Sequence, residues 1–135
     1  MKNIACLREM GFELERIEDR GGDVSLFFSS PALDIEIEKD KEIGGVYIKF
    51  RGFKKKVSPY QKKVRLRELY REISHKDADF EYSIEALDWV IYPRGKSEGI
   101  VEPLQYSIIL PSTIFKVRVE KFIASLEDKK KSEKN

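Results

Sequence analysis

Asp77, Asp79 and Glu81 alternate along the chain, so on a β-strand their three carboxylates would share one face and could offer hard oxygen ligands to Mg²⁺ or Ca²⁺. No glycine-turned acidic loop accompanies them, and a solvated acidic edge has the same spacing, so no metal is assigned. His75 is the only histidine. It falls at the end of a predicted helix, where an imidazole caps carbonyls and meets the helix dipole favourably. One imidazole makes no triad without a matched nucleophile and orienting acid. Cys6, the only cysteine, sits among helix-patterned apolar residues and reads as a buried structural thiol; a lone cysteine excludes an internal disulfide and cysteine-based zinc sites.

Two motif-like strings fail on the residues that would carry the chemistry. Gly95-Lys96-Ser97 has the tail of a phosphate-binding loop, which needs glycine where this chain has Val90. The PD-(D/E)xK nucleases need an acid two residues before a lysine, and here Ile37 precedes Lys39 and Tyr47 precedes Lys49 at that spacing. The expectation is a non-enzymatic chain with no cofactor.

Charge says more. Residues 49–71 hold ten of the 26 basic residues and one acid, Glu68, in a chain of formal net charge +2, whereas residues 1–48 carry 6 basic and 11 acidic groups. Such asymmetry implies a polar binding surface more readily than a catalytic pocket. At about 100° per residue, Lys63, Arg67 and Arg71 stack at i, i+4 and i+8 on one helix face, beside Tyr60 and Val64, with Lys54, Lys55 and Lys56 just ahead. This set could dock an acidic protein surface or follow a phosphate backbone. Tyr47, Phe53 and Tyr60 lie in or beside the segment, where rings can stack on bases but are more often core-edge residues. There is no RNP-like aromatic motif, GXXG loop or zinc-ligand spacing, so a nucleic-acid reading rests on charge alone.

The elements that must position these residues follow from punctuation and periodicity. Asn3 is a candidate cap for a short helix bearing Ile4, Leu7 and Met10, which Gly11 ends. Strands on either side of Gly21-Gly22 make a first hairpin. After Pro31, Leu33, Ile35 and Ile37 alternate with acids, and Val46, Ile48 and Phe50 alternate with Tyr47, Lys49 and Arg51. Placing Ile37 opposite Ile48 sets Glu36 opposite Lys49 and Asp34 opposite Arg51, an outer face of opposite charges. Ser58, Pro59 and Gln61 open the basic helix as cap, first helical residue and capping-box partner. Phe80 to Ile84 alternate like a strand, and Leu87–Tyr92 is favoured as strand over helix. A turn at 93–96 follows, then a returning strand over Leu104–Leu110 with Leu104, Tyr106, Ile108 and Leu110 in phase. The last helix carries Phe115, Val119, Phe122, Ile123 and Leu126 on one stripe, and residues 128–135 have nothing apolar to bury and read as a frayed basic tail.

The order of elements, with LREMGFE, VSLFFSSPALDIEIEKD and GGVYIKFRG as its local pattern, resembles small bacterial immunity proteins of contact-dependent and polymorphic toxin systems. The resemblance implies a non-enzymatic protein that covers a toxin's active site. It differs in charge, since immunity proteins against nucleases are commonly acidic and this chain is slightly basic.

At 135 residues, 41% hydrophobic, the chain suits one α+β domain over residues 1–127: a mostly antiparallel sheet of five to six strands with N-terminal, central and C-terminal helices. With neither an apolar run near membrane-spanning length nor a secretory signal pattern, the expected location is cytoplasmic. The expected activity is binding of a protein partner, a toxin being one candidate, through Lys54, Lys55, Lys56, Tyr60, Lys63, Arg67 and Arg71. The alternative is an RNA- or DNA-binding module built on the same cations.

Overall fold

In the computed structural model, which describes residues 4–94 and 102–133, helix α1 (Ala5–Glu9) stops where Gly11 takes a φ of 89°. The Gly11 and Phe12 amides bond Arg8 O and Leu7 O, each at 2.9 Å, a Schellman end that turns the chain into the first sheet. Asn3 lies outside the described residues.

Strands β1 (Glu13–Arg20), β2 (Asp23–Ser29), β3 (Leu33–Lys39) and β4 (Val46–Phe53) form an antiparallel sheet in sequence order. Gly21 and Gly22, at φ 66° and 107°, make the first two-residue turn. Ile17, Leu26, Ile37 and Ile48 stand opposite one another in a row, which Ile109 extends by a single bridge to Ile48. This row crosses the face that builds the core. On the other face Phe27 is buried because the Arg16 guanidinium lies 3.9 Å from its ring centre and that of Arg51 5.8 Å.

The predicted pairs Ile37 with Ile48 and Glu36 with Lys49 are present, but Asp34 faces Gly52, because β4 carries an extra residue at this point. The ion pairs run diagonally: Lys49 to Glu38 at 2.6 Å, Arg51 to Glu36 at 3.4 Å and Lys54 to Asp34 at 2.8 Å.

Helix α2 (Pro59–Ser74) begins as its sequence requires, with Ser58 Oγ accepting from Gln61 N at 3.2 Å and Pro59 at the first position. It ends at His75, whose φ of 57° is left-handed and whose amide bonds Arg71 O. Three residues later the chain reverses into β5 (Ala78–Ser83), which pairs with β6 (Asp88–Pro93), itself flanked by the two-residue β7 (Glu102–Pro103).

The strands therefore divide between a four-stranded sheet and a small second sheet, correcting the expected single sheet of five to six strands. The expected strand Leu104–Leu110 is also absent: a 3-10 turn occupies Leu104–Tyr106, and only Ile109 then meets β4. Pro103 pairs with Val90 at the edge of the second sheet and Ile109 bridges to Ile48 of the first, with the 3-10 turn between them interrupting any continuous ladder. Helix α3 (Thr113–Glu133) buries Phe115, Val119, Phe122 and Ile123 in a cluster shared with α1, α2 and both sheets. The backbone of the expected tail is helical to Glu133, and residues 134–135 lie outside the described ones. Among the described residues no helix is long and apolar enough to cross a membrane.

Candidate functional site

The basic stripe and the acidic triplet, read from sequence as separate features, face each other. Lys63 Nζ lies 2.6 Å from Glu81, Arg67 Nε 4.0 Å from Asp79 and Arg71 Nε 3.8 Å from Asp77. The match follows from repeat lengths: four helical residues rise about 6 Å, and two strand residues about 6.6 Å. Because α2 and β5 are antiparallel neighbours, cations at i, i+4 and i+8 meet acids running the other way at every second position.

Arg94, from the end of β6, adds a two-pronged contact to Asp79, Nη2 at 3.0 Å and Nε at 3.3 Å. Its hydrogen bonds and charge, with Arg67 and Lys63 behind, hold the Asp79 carboxyl below the usual carboxylate range against the opposing effect of desolvation. Between the partners lies a shallow cleft of about 210 Å³ lined by Val64, Arg67, Glu68, Arg71, Asp77, Ala78 and Arg94. Asp77 pairs with Arg71, and Asp79 with both Arg67 and Arg94, while Glu68, paired with Arg65, also lines the cleft. Among the described residues no three metal-ligating side chains converge; the acids of β5 are engaged by cations.

The other predicted contact residues are dispersed. Lys54 bonds Asp34 and, at 3.1 Å, Ser29 Oγ. Burial raises the Asp34 carboxyl, but the bonds from Lys54 and Ser29 outweigh it and hold the group below its ordinary range. Lys55 and Lys56 are exposed on the turn before α2, and Tyr60 is exposed in its first turn. Phe53 is a core-edge ring 6.4 Å from Trp89 with Lys62 Nζ 5.3 Å from its centre. His75 serves α2 through its backbone. Cys6 is buried; burial first, then the Glu72 charge, pushes its thiol up, against Arg118 and the Leu7 amide. Gly95, Lys96 and Ser97 lie outside the described residues.

Sequence reasoning missed the exposed apolar residues. Tyr106, Ile108 and Leu110 are 76%, 54% and 66% exposed, while Ser107 and Ile109 between them are buried. Of the four residues expected in phase, Leu104 is buried in the 3-10 turn, whereas Tyr106, Ile108 and Leu110 point outward. The two flanking prolines were the available signal that this was not an ordinary buried strand. A second set, Ile84 at 82% and Leu87 at 74%, sits at the tip of the β5–β6 hairpin, where Leu87 adopts a φ of 52°. Comparison of the chain with protein-family models, with curated proteins and with solved structures gives no match.

Proposed function

We propose that this chain is a non-enzymatic binding domain whose partner is another protein, engaged through exposed apolar side chains with cations at the periphery. The outward Tyr106, Ile108 and Leu110, alternating with buried Ser107 and Ile109, carry the reading. Apolar side chains at the centre of an interface supply most of its affinity, whereas rim charges steer encounter. The pairing of Lys63, Arg67 and Arg71 with Glu81, Asp79 and Asp77 moves the centre of the surface away from the α2 stripe. It leaves Lys55, Lys56 and Tyr60 as the contributors from the basic segment. The resemblance to immunity proteins supports a toxin as the partner class.

A nucleic-acid module retains Lys55 and Lys56 beside exposed Tyr60 as its support. One experiment separates the two: retention of cellular material on the immobilised chain, with and without nuclease, compared with the double variant Ile108→Asp/Leu110→Asp. A protein retained in stoichiometric amount after nuclease treatment and released by the double variant supports protein binding. Retained RNA or DNA whose binding falls steeply with salt and survives the double variant overturns it.

A further inference from the structure

A cavity of about 190 Å³ lies where the two sheets meet, walled by Leu33, Phe50 and Phe53 of the first sheet, Trp89 of the second and Leu104 of the 3-10 turn. Pockets for whole small molecules run from about 300 Å³ upward, so this one is sized for a single side chain. Leu87, 74% exposed, precedes its lining residue Asp88, and Tyr106, 76% exposed, follows its lining residue Gln105. The half-exposed Tyr82 packs edge-on against Trp89, 5.9 Å between ring centres. The cavity therefore lies between the exposed apolar side chains of the hairpin tip and those of residues 106–110.

Two of its lining residues are charged, and only one is satisfied. The Arg51 guanidinium is taken up on the outer face of the sheet, 3.4 Å from Glu36 and 5.8 Å from the Phe27 ring centre. Asp88 accepts the Gln105 amide through Oδ2, which fixes its carboxylate at the cavity, and among the described residues no cation pairs with it. Asp88 is thus the one lining charge without a countercharge. Lys62, which does not line the cavity, holds its ammonium 5.3 Å from the Phe53 ring centre, so one wall already attracts a cation. An arginine side chain answers this combination. Its stem packs on apolar walls, and its weakly hydrated, planar guanidinium stacks on rings and donates paired hydrogen bonds to a carboxylate.

We infer that this cavity receives an arginine side chain of the partner protein, the guanidinium bonding Asp88 and the stem lying against Leu33, Leu104 and the rings. The inference rests on the protein-binding reading and names its anchor, arginine in a desolvated pocket being among the residues that carry interface affinity. Lysine, a compact and strongly hydrated point charge, fits the same site less well.

Trp89 is the only tryptophan, so its fluorescence reads the cavity in the full chain without a partner. Titration with N-acetyl-arginine N-methylamide should give a saturable change in the millimolar range, as expected of one isolated side chain. N-acetyl-citrulline N-methylamide, which keeps the shape and lacks the charge, should bind at least about fivefold more weakly, and the norleucine derivative likewise. Asp88→Asn, which retains an oxygen for the Gln105 amide, should bind the arginine and citrulline amides equally. No saturable change with the arginine amide overturns the proposal. So does a citrulline or norleucine amide that binds the wild type as tightly as arginine, the latter by making the cavity an apolar anchor site. Arginine selectivity preserved in an Asp88→Asn variant of unchanged urea midpoint overturns it too, and the wild-type comparison decides if that variant fails to fold. Failure of the titration while Ile108→Asp/Leu110→Asp still releases the retained partner removes the arginine anchor and leaves protein binding in place.

Discussion

Lys63 Nζ and Glu81 Oε1 meet at 2.6 Å across 18 residues of sequence, closing one end of a three-rung ladder whose other rungs are Arg67 with Asp79 and Arg71 with Asp77. The cluster that makes residues 49–71 so basic is thus locally matched by the acids that follow it. Reversing all three cations to glutamate would set six carboxylates face to face. We expect that triple variant to lose about 1–3 kcal/mol at low salt, since each exposed pair contributes roughly 0.2–1 kcal/mol and like-charge contacts cost similar amounts. Adding Asp77→Lys, Asp79→Lys and Glu81→Lys should restore most of the loss. Urea unfolding of the two variants checks this, and no recovery in the six-fold variant would mean the ladder contributes nothing.

Asp79 gives the ladder a pH signature. Its folded-state carboxyl is depressed, chiefly by the hydrogen bonds from Arg94. Its contribution is therefore present above the unfolded carboxylate pKa of about 3.9 and lost as pH falls through the lower folded value. The gap in urea midpoint between the wild type and Asp79→Asn should be constant from about pH 7 to about pH 5 and close below about pH 4. A gap that widens in acid contradicts the assignment.

Leu87 holds a left-handed φ of 52° with most of its surface in solvent. For a leucine this costs roughly 1–2 kcal/mol, and glycine avoids the clash at a smaller cost in unfolded-chain entropy. Leu87→Gly should therefore stabilise the fold by about 0.5 kcal/mol despite removing an apolar side chain. Thermal and urea midpoints both report it, and a destabilised variant would show that Leu87 packs in a way its exposure conceals.

Cys6 should be inert in the folded chain. Burial, aided by the Glu72 charge, raises its thiol pKa, so little thiolate forms and access is poor. Disulfide-exchange reagents at about pH 8 should modify it about a hundredfold more slowly than a free thiol, with the rate rising in urea as the chain unfolds. The raised folded value also means that the Cys6 contribution to stability is full below the unfolded thiol pKa of about 8.5 and is lost as pH rises through the folded value. Rapid labelling without unfolding is the contrary result.

Local signals were legible in the sequence where a single element determines the outcome. Ser58 and Pro59 began α2, Gly11 ended α1, and the alternation around Ile37 and Ile48 fixed their register. The bulge opposite Asp34 was not legible, because an extra residue in one strand leaves the hydrophobic alternation nearly intact on both sides. The division into two sheets was hidden for a related reason: period two reports an extended chain but not what it pairs with. For Tyr106, Ile108 and Leu110 it did not even report the inward face. The site suffered most, since charge density along a sequence is blind to neighbours brought in by a reversal, and the acids of β5 lie only a few residues past the end of α2.

The helix and strand repeats differ by about 0.6 Å per rung, so α2 and β5 work as a vernier. Three marks coincide within reach of flexible side chains, and a longer scale would drift out of step. Sliding the helix by one rung strands an unmatched cation at one end and an unmatched acid at the other, while intermediate positions align neither. The ladder therefore favours the observed position of α2 over its neighbours by the worth of about one exposed pair, roughly 0.2–1 kcal/mol, in addition to the packing of Leu66, Leu69 and Ile73.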